Sequence, residues 1–214
     1  GIDSIALTGG GTLSLSEDDA VALSVANLTI APGFAAAEGT PELSTNAVLT
    51  VQGTTLAEKG LTLFGLGQLG VDVVQGAGPL GAGTINIESG DLGAAFSQDP
   101  ALVNFAPQFA DAANVVLGLS GNPSAAIPSL TAQKLEALHN TGVDAVALTD
   151  GGTLTVSESE AVSFINAGLR IADQFSQSDL STASDHPQTV AVLQVEGTHL
   201  DTGLTLKSLG DLGI

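Results

Sequence analysis

The stretch "GVDAVALTDGGTLTVSESEAVSFINAGLRIA", residues 142–172, has a near-copy at residues 1–31, which read "GIDSIALTGGGTLSLSEDDAVALSVANLTIA". More than half of the aligned pairs are identical without a gap, and several others exchange similar residues, such as Ile for Val or Ser for Thr. Agreement of this extent indicates internal duplication. The fold is therefore expected to repeat along the chain.

A third, more divergent copy lies between these two. "LGQLGVDVV" (66–74) and "GTINIES" (83–89) match the openings of the other copies. Further along, "VQGTTLAEKGLTLFGLGQLGV" (51–71) pairs with "VEGTHLDTGLTLKSLGDLGI" (195–214). The sequence thus predicts three units, with the start of a fourth, in what we expect to be a piece of a longer array. Their bounds are 1–69, 70–141 (divergent) and 142–212, with 213–214 beginning the next.

The order of elements within a unit predicts an α/β fold. Each unit opens with a β-like run, a glycine-rich turn and a second β-like run, and then continues into a helix and another strand. Strand–helix–strand alternation favours parallel pairing. We expect repeated strand–turn–strand–helix units in a solenoid-like or modular array, with largely parallel strands and short helices. A single compact α/β domain with an internal duplication is the alternative.

Several residues have a structural role in this prediction. Ser157 and Glu160 form a capping-box pattern, and Ser16 with Asp19 is a weaker version. Gly168 fits a helix C-cap. A helix–Gly–strand phrase also occurs over 61–74 and 131–148, and over 101–119 with Asn114 as the helix stop. The turns "TGGGT" and "TDGGT" match no phosphate-loop motif, so we interpret them as tight, hairpin-like turns that add antiparallel pairs. The glycines that the two turns share are Gly10, Gly11, Gly151 and Gly152.

The charge balance excludes some partners. The chain has 23 acidic and 4 basic residues, a net charge of −19. Nucleic acid and anionic membrane surfaces need Lys and Arg, so neither is an expected partner. Two interpretations of the acidic residues remain: they keep the chain soluble, or they bind divalent cations. The chain has no Cys, which excludes disulfides and thiolate metal sites.

Calcium is the only cofactor for which the sequence offers candidates. Asp3, Asp72 and Asp144 open equivalent strands, and Asp150 and Glu158 could contribute further oxygens. The alternative is that the three aspartates accept backbone amide hydrogen bonds at turns. Neither the calcium-binding nonapeptide nor the EF-hand loop is present. Loops that vary between copies, at 32–47, 75–83 and 173–188, are where calcium or a glycan could bind.

Catalytic patterns are weak. His139, His186 and His199 do not recur between copies, and Asp185 beside His186 does not make a triad. The nucleophile-elbow and HExxH patterns are missing. We therefore expect that the chain is not an enzyme. The divergent stretch 90–130 is where an enzyme hypothesis would look first.

The phrases at 142–169 and 195–214 resemble repeats of very large secreted α-proteobacterial surface proteins, often described as RTX-type, adhesin-like and calcium-binding. The resemblance implies an extracellular or cell-surface segment without catalytic activity. Such a segment acts as a stalk, spacer or adhesive surface in attachment or biofilm formation. Its implied partners are neighbouring repeats of the same polypeptide and a host surface, abiotic surface or glycan, without membrane insertion. The chain departs from the family in lacking the nonapeptide.

Overall fold

A computed structural model describes most of the chain. The described residues are 2–34, 41, 43–52, 56, 59–92, 107–120, 129–175, 187–197, 200 and 203–214. Among them the fold is mixed α/β, with mostly parallel strands in several sheets, six helices and no closed barrel. The α/β class and the largely parallel pairing predicted from sequence are confirmed.

The chain divides into two compact units. The first contains residues 1–85 and 90–113, and the second contains 86–89 and 114–214. All three changes of unit fall inside the divergent stretch 70–141. The two compact units therefore do not coincide with the three sequence copies.

The first unit has two sheets. Its strands are β1 (Ser4–Ile5), β2 (Gly11–Ser16), β3 (Thr29–Ile30), β4 (Gly33–Phe34), β5 (Leu43–Val51), β6 (Val73–Gly76) and β8 (Gln108–Phe109). Its helices are α1 (Glu17–Val25) and α2 (Leu63–Leu69), with a 3-10 turn over Pro79–Gly81. Strands β1 and β3 form a parallel pair. The larger sheet has the order β2-β5-β6-β8, all parallel, and β4 joins β5 antiparallel.

The second unit also has two sheets. Its strands are β9 (Ala113–Leu119), β10 (Ala145–Leu148), β11 (Gly152–Ser157), β12 (Arg170–Ile171) and β13 (Thr189–Gln194), and β7 (Gly83–Glu88) lies where the units change. Helix α3 (Ser89–Leu92) also lies where the units change, and the helices of the second unit are α4 (Ala132–Asn140), α5 (Glu158–Ala167) and α6 (Leu206–Leu212). One sheet has the order β12-β10-β9-β7, and β11 pairs with β13 in parallel.

Helix bounds follow the capping residues. Ser16 accepts a hydrogen bond from the Asp19 N–H, and Ser157 accepts one from the Glu160 N–H, each as half of a complete capping box. Gly168 adopts the left-handed conformation at the end of α5. These predictions are confirmed, as are the helices before residues 70 and 142.

The hairpin prediction is wrong. The strands on either side of the "TGGGT" turn do not pair with each other: β1 pairs with β3, and β2 pairs with β5. The "TDGGT" turn likewise separates β10, which pairs with β9 and β12, from β11, which pairs with β13. The last two glycines of each turn have positive φ. That conformation lets the chain pass from one sheet to the next, so the second strand finds a distant parallel partner.

The helix predicted to stop at Asn114 is also wrong over the residues that the structure describes. Residues 108–109 and 113–119 form strands β8 and β9. "ANVVLGL" is rich in β-branched and aliphatic residues, which suit a buried strand. Residues 101–106 of that prediction lie outside the described residues.

Small aliphatic side chains supply the core. Among the buried residues of the second unit, Val116, Ala145, Ala147, Ala172 and Phe175 form one apolar cluster. Gly118 lies against the Phe175 ring, and a Cβ there would come within 2.7 Å of it. Alanine and glycine on central strands thus leave the space that a large aromatic side chain fills.

Candidate functional site

The predicted calcium residues are spread over several elements. Asp3, Asp72 and Asp150 are exposed, Asp144 is half-buried, and Glu158 is buried at the start of α5. Among the described residues, no three His, Asp or Glu side chains lie close enough together to hold a metal ion. The structure therefore does not bring these five residues together.

Two of the aspartates join neighbouring strands. The Ala47 N–H donates to Asp72 Oδ2 at 2.7 Å, and the Asp72 N–H donates to the Ala47 carbonyl at 2.9 Å. The Val115 N–H donates to Asp144 Oδ2 at 2.8 Å, and the Asp144 N–H donates to the Val115 carbonyl at 2.9 Å. Each aspartate thus extends a parallel ladder by one residue, and a charged acceptor makes the added bond strong.

The register around each of these aspartates is the same. Val48 lies opposite Val73 where β5 meets β6, and Val116 lies opposite Ala145 where β9 meets β10. In both pairs the aspartate immediately precedes the strand. The aspartate bonds to the residue of the neighbouring strand that directly precedes the first paired residue of that strand. We call this pair of hydrogen bonds the aspartate clamp.

Two buried glutamates make a second matching contact. Glu17 Oε2 accepts a hydrogen bond from the Gln52 N–H, and Glu158 Oε2 accepts one from the Glu196 N–H, both at 3.3 Å. Each glutamate is the first residue of its helix, where the helix dipole favours a negative charge. Each also bonds to the backbone just beyond a β-strand. This contact fixes the helix to the sheet.

Two threonines make a third matching contact, which the sequence did not reveal. The Leu7 N–H donates to Thr45 Oγ1 at 3.0 Å, and the Leu148 N–H donates to Thr189 Oγ1 at 2.9 Å. Both threonines are buried polar residues. Their partners are 38 and 41 residues away in sequence, so only the pairing of strands could identify them.

Two glycines lie directly against a strand. Gly70 ends α2 and Gly213 ends α6, both in the left-handed conformation. A Cβ at Gly70 would overlap the carbonyl oxygen of Ile30, and one at Gly213 would overlap that of Ile171. Glycine is required at both positions for close approach as well as for the turn.

The charged groups on the surface act locally. Lys59 pairs with Asp18 at 2.8 Å, and Lys207 pairs with Asp211 one helical turn away. Hydrogen bonds from the Ser16 hydroxyl and backbone N–H hold the pKa of Asp19 below its ordinary value. The pKa of Lys59 is raised by its hydrogen bond to Asp18 and by the charge of that carboxylate. Exposed pairs of this kind contribute little to stability.

One groove in the second unit has polar walls. It lies between α4 and α5, encloses about 470 Å³, and brings Glu136, His139 and Asn140 near Asn166. The His139 ring packs over Gly168, where a Cβ would lie 3.1 Å from the ring. This gives His139 a packing role. His186, His199 and Asp185 lie outside the described residues, as do 35–40 and 42 of the first variable loop, 176–186 of the third and most of 90–130. The loop prediction is wrong for 33–34 and 43–47, which form β4 and the start of β5.

Some strands have a neighbour on both sides, and others have a free edge. Strands β5 and β9 each have a neighbour on both sides, as do β6 and β10. Within the described part of the chain, β1 pairs with β3 alone and β13 pairs with β11 alone. One edge of β1 and one edge of β13 therefore present backbone groups that no described strand occupies.

Comparison with protein-family models, with curated proteins and with solved structures gives no match for this chain. In the described residues, the helices are too short and too polar to cross a membrane. What the chain does must therefore be argued from its own contacts.

Proposed function

We propose that this chain is a non-enzymatic repeat segment of a large extracellular bacterial surface protein, in which it acts as a stalk, spacer or adhesive surface. The observation that carries the proposal is the aspartate clamp, which occurs in the same register at Asp72 and at Asp144. An array needs a joint of this kind, because each unit must attach to the next in the same way.

The position of the clamp relative to the sequence copies supports this role. In each clamp a strand late in one copy pairs with the first strand of the following copy: β5 with β6, and β9 with β10. Each of the two larger sheets thus includes strands from two successive copies. Sheets that extend across copies bury a continuous core, so further copies add length without a new core of their own.

The other matching contacts support the same arrangement. The glutamate contact, the threonine contact and the glycine approach all recur between the first and third copies. What the duplication preserves is a set of joints. The strong negative charge suits a long array, because like-charged units repel and resist collapse on one another.

Two fused copies of the chain test the array. The second copy should begin at its Asp3, directly after Ile214 of the first, because Gly70-Val71-Asp72 and Gly142-Val143-Asp144 have this spacing. An array predicts a radius of gyration that roughly doubles on fusion, whereas a compact particle grows about 1.3-fold. A matched fusion through a flexible Gly/Ser linker is the control.

The direct fusion should also unfold at a higher urea concentration than the linker fusion, since only the direct fusion forms the new joint. Growth of about 1.3-fold, or equal unfolding midpoints, would reject the array. Cell-surface location has its own test. Antibodies against the folded chain should label intact cells of the source bacterium, and labelling only after lysis would reject it.

A further inference from the structure

Strands β1 and β13, each of which has one free edge, correspond to strands that have a neighbour on both sides. Strand β1 follows Asp3 as β6 follows Asp72, and both pair in parallel with the strand that comes after the next helix or loop. Strand β13 pairs with β11 in the register in which β5 pairs with β2. Ala191 therefore corresponds to Ala47.

Apolar side chains at these two edges are more exposed than their counterparts at paired edges. Ile2 is 77% exposed, whereas its counterparts Val71 and Val143 are 4% and 1% exposed. At the other edge, Val192 is 43% exposed, whereas its counterpart Val48 is 8% exposed. The same apolar position is therefore buried in a strand that has a neighbour on that edge, and exposed in a strand that does not.

We propose that β1 of one copy of this chain adds to the free edge of β13 of a second copy, head to tail and in parallel. The partner is thus a second copy of the chain. The register follows from the existing joints: Ser4 of one copy lies opposite Val192 of the other, and Ile5 lies opposite Leu193. The Asp3 carboxylate accepts the Ala191 N–H, completing a third aspartate clamp. This inference rests on the array proposed above.

The geometry of the contact determines how copies assemble. The two surfaces are different, so an assembly of any number of copies keeps one free β1 edge and one free β13 edge, and it continues as an open chain. Pairing through a strand edge supplies backbone hydrogen bonds, and the exposed apolar side chains fix the register. Because both copies are strongly acidic, salt should strengthen the association by screening their repulsion.

Disulfide trapping tests the register. The chain has no native cysteine, so Ser4→Cys in one chain and Val192→Cys in another can be mixed under mild oxidation. Residues directly opposite on paired strands are within disulfide reach. The matched control is Gln194→Cys, two residues along the same face of β13 and about 6.6 Å further along the strand. We expect the Ser4/Val192 mixture to cross-link at least about tenfold faster than the Ser4/Gln194 mixture.

Sedimentation velocity of the unmodified chain over a range of concentrations tests the association itself. Val192→Lys should weaken it about tenfold or more, because this side chain becomes buried in the joint. Val190→Lys is the control. Val190 is on the same face, but its counterpart Asn46 remains exposed where β5 is paired. Val190→Lys should therefore leave the association unchanged.

Each outcome decides the proposal. Register-selective cross-linking together with selective loss in Val192→Lys supports it. Equal cross-linking at 192 and 194, no association at any concentration, or equal effects of the two lysines would overturn it. If the direct fusion behaves as an array while separate chains fail to associate, the array stands and only the pairing between copies is rejected. If neither occurs, both proposals fail.

Discussion

Replacing Asp144 by alanine should destabilise the second unit by removing its aspartate clamp. The carboxylate accepts the Val115 N–H at 2.8 Å, and Val115 is fully buried. Loss of a charged acceptor from a buried donor costs about 1.5–3 kcal/mol. For a chain of this size each kcal/mol lowers the melting temperature by about 2–4 °C, so the expected loss is about 3–12 °C.

Matched variants isolate the clamp from the general effect of losing a charge. Asp72→Ala should show a similar loss, since Asp72 makes the same contact with Ala47. Asp3→Ala should cost less than about 0.5 kcal/mol in the free monomer, because no N–H among the described residues donates to the Asp3 carboxylate. Asp144→Asn should fall between these, since its amide oxygen can still accept without the charge.

Circular dichroism with urea and heat measures all four variants, at a concentration low enough to keep the chains monomeric. The clamp interpretation requires Asp144→Ala and Asp72→Ala to lose clearly more stability than Asp3→Ala. Equal losses at the three positions would refute it.

Three further perturbations have defined outcomes. Gly70→Ala should cost about 3 kcal/mol or more in urea unfolding, because its Cβ would overlap a carbonyl oxygen of β3, whereas Gly60→Ala, also at positive φ but in open space, should cost about 1 kcal/mol; equal costs would count against the close approach. The pKa of Asp19 is lowered from 3.8 by hydrogen bonds from Ser16, so its contribution is present above that pH and is lost as the pH falls through the folded-state value. Asp19→Asn should therefore melt below the unmodified chain at pH 7 and converge with it in acid; a gap that widens in acid would contradict this sign. Calcium and then chelator should leave the melting temperature unchanged within about 1 °C, since the described acids do not converge on one locus, and a clear rise with calcium would require a site elsewhere.

Local signals in the sequence were sufficient for the helix ends. The residues that cap α1 and α5 act within three positions of one another, so their spacing reveals the contact. The same holds for glycine after a helix, since the left-handed conformation is a property of that residue alone. Copies of these signals predicted three units of mixed α/β structure.

Pairing between strands could not be read in this way. The "TGGGT" turn has the same positive-φ glycines whether it closes a hairpin or passes the chain to another sheet. Only the competition among distant strands decides between these outcomes. For the same reason, the sequence could not show which backbone groups the acceptor side chains bind, because Glu17 and Thr45 bond to groups 35 and 38 residues away.

The aspartates show how a correct pattern can support two chemistries. Recurrence of Asp3, Asp72 and Asp144 at the start of equivalent strands marked them as a set. Carboxylates at such positions suit either a metal or a backbone amide. The structure places Asp72 and Asp144 on neighbouring strand amides, a detail that depends on which strand lies alongside.

Hydrogen exchange at three backbone amides tests the central claim most directly. NMR would follow Ala47, Val115 and Ala191 in the monomeric chain and in the direct fusion. The account predicts slow exchange at Ala47 and Val115 in both, and fast exchange at Ala191 in the monomer. In the fusion, Ala191 of the first copy should slow to a rate like theirs, because it then donates to Asp3 of the second copy. An Ala191 amide that exchanges at the same fast rate in both chains would contradict the repeated joint.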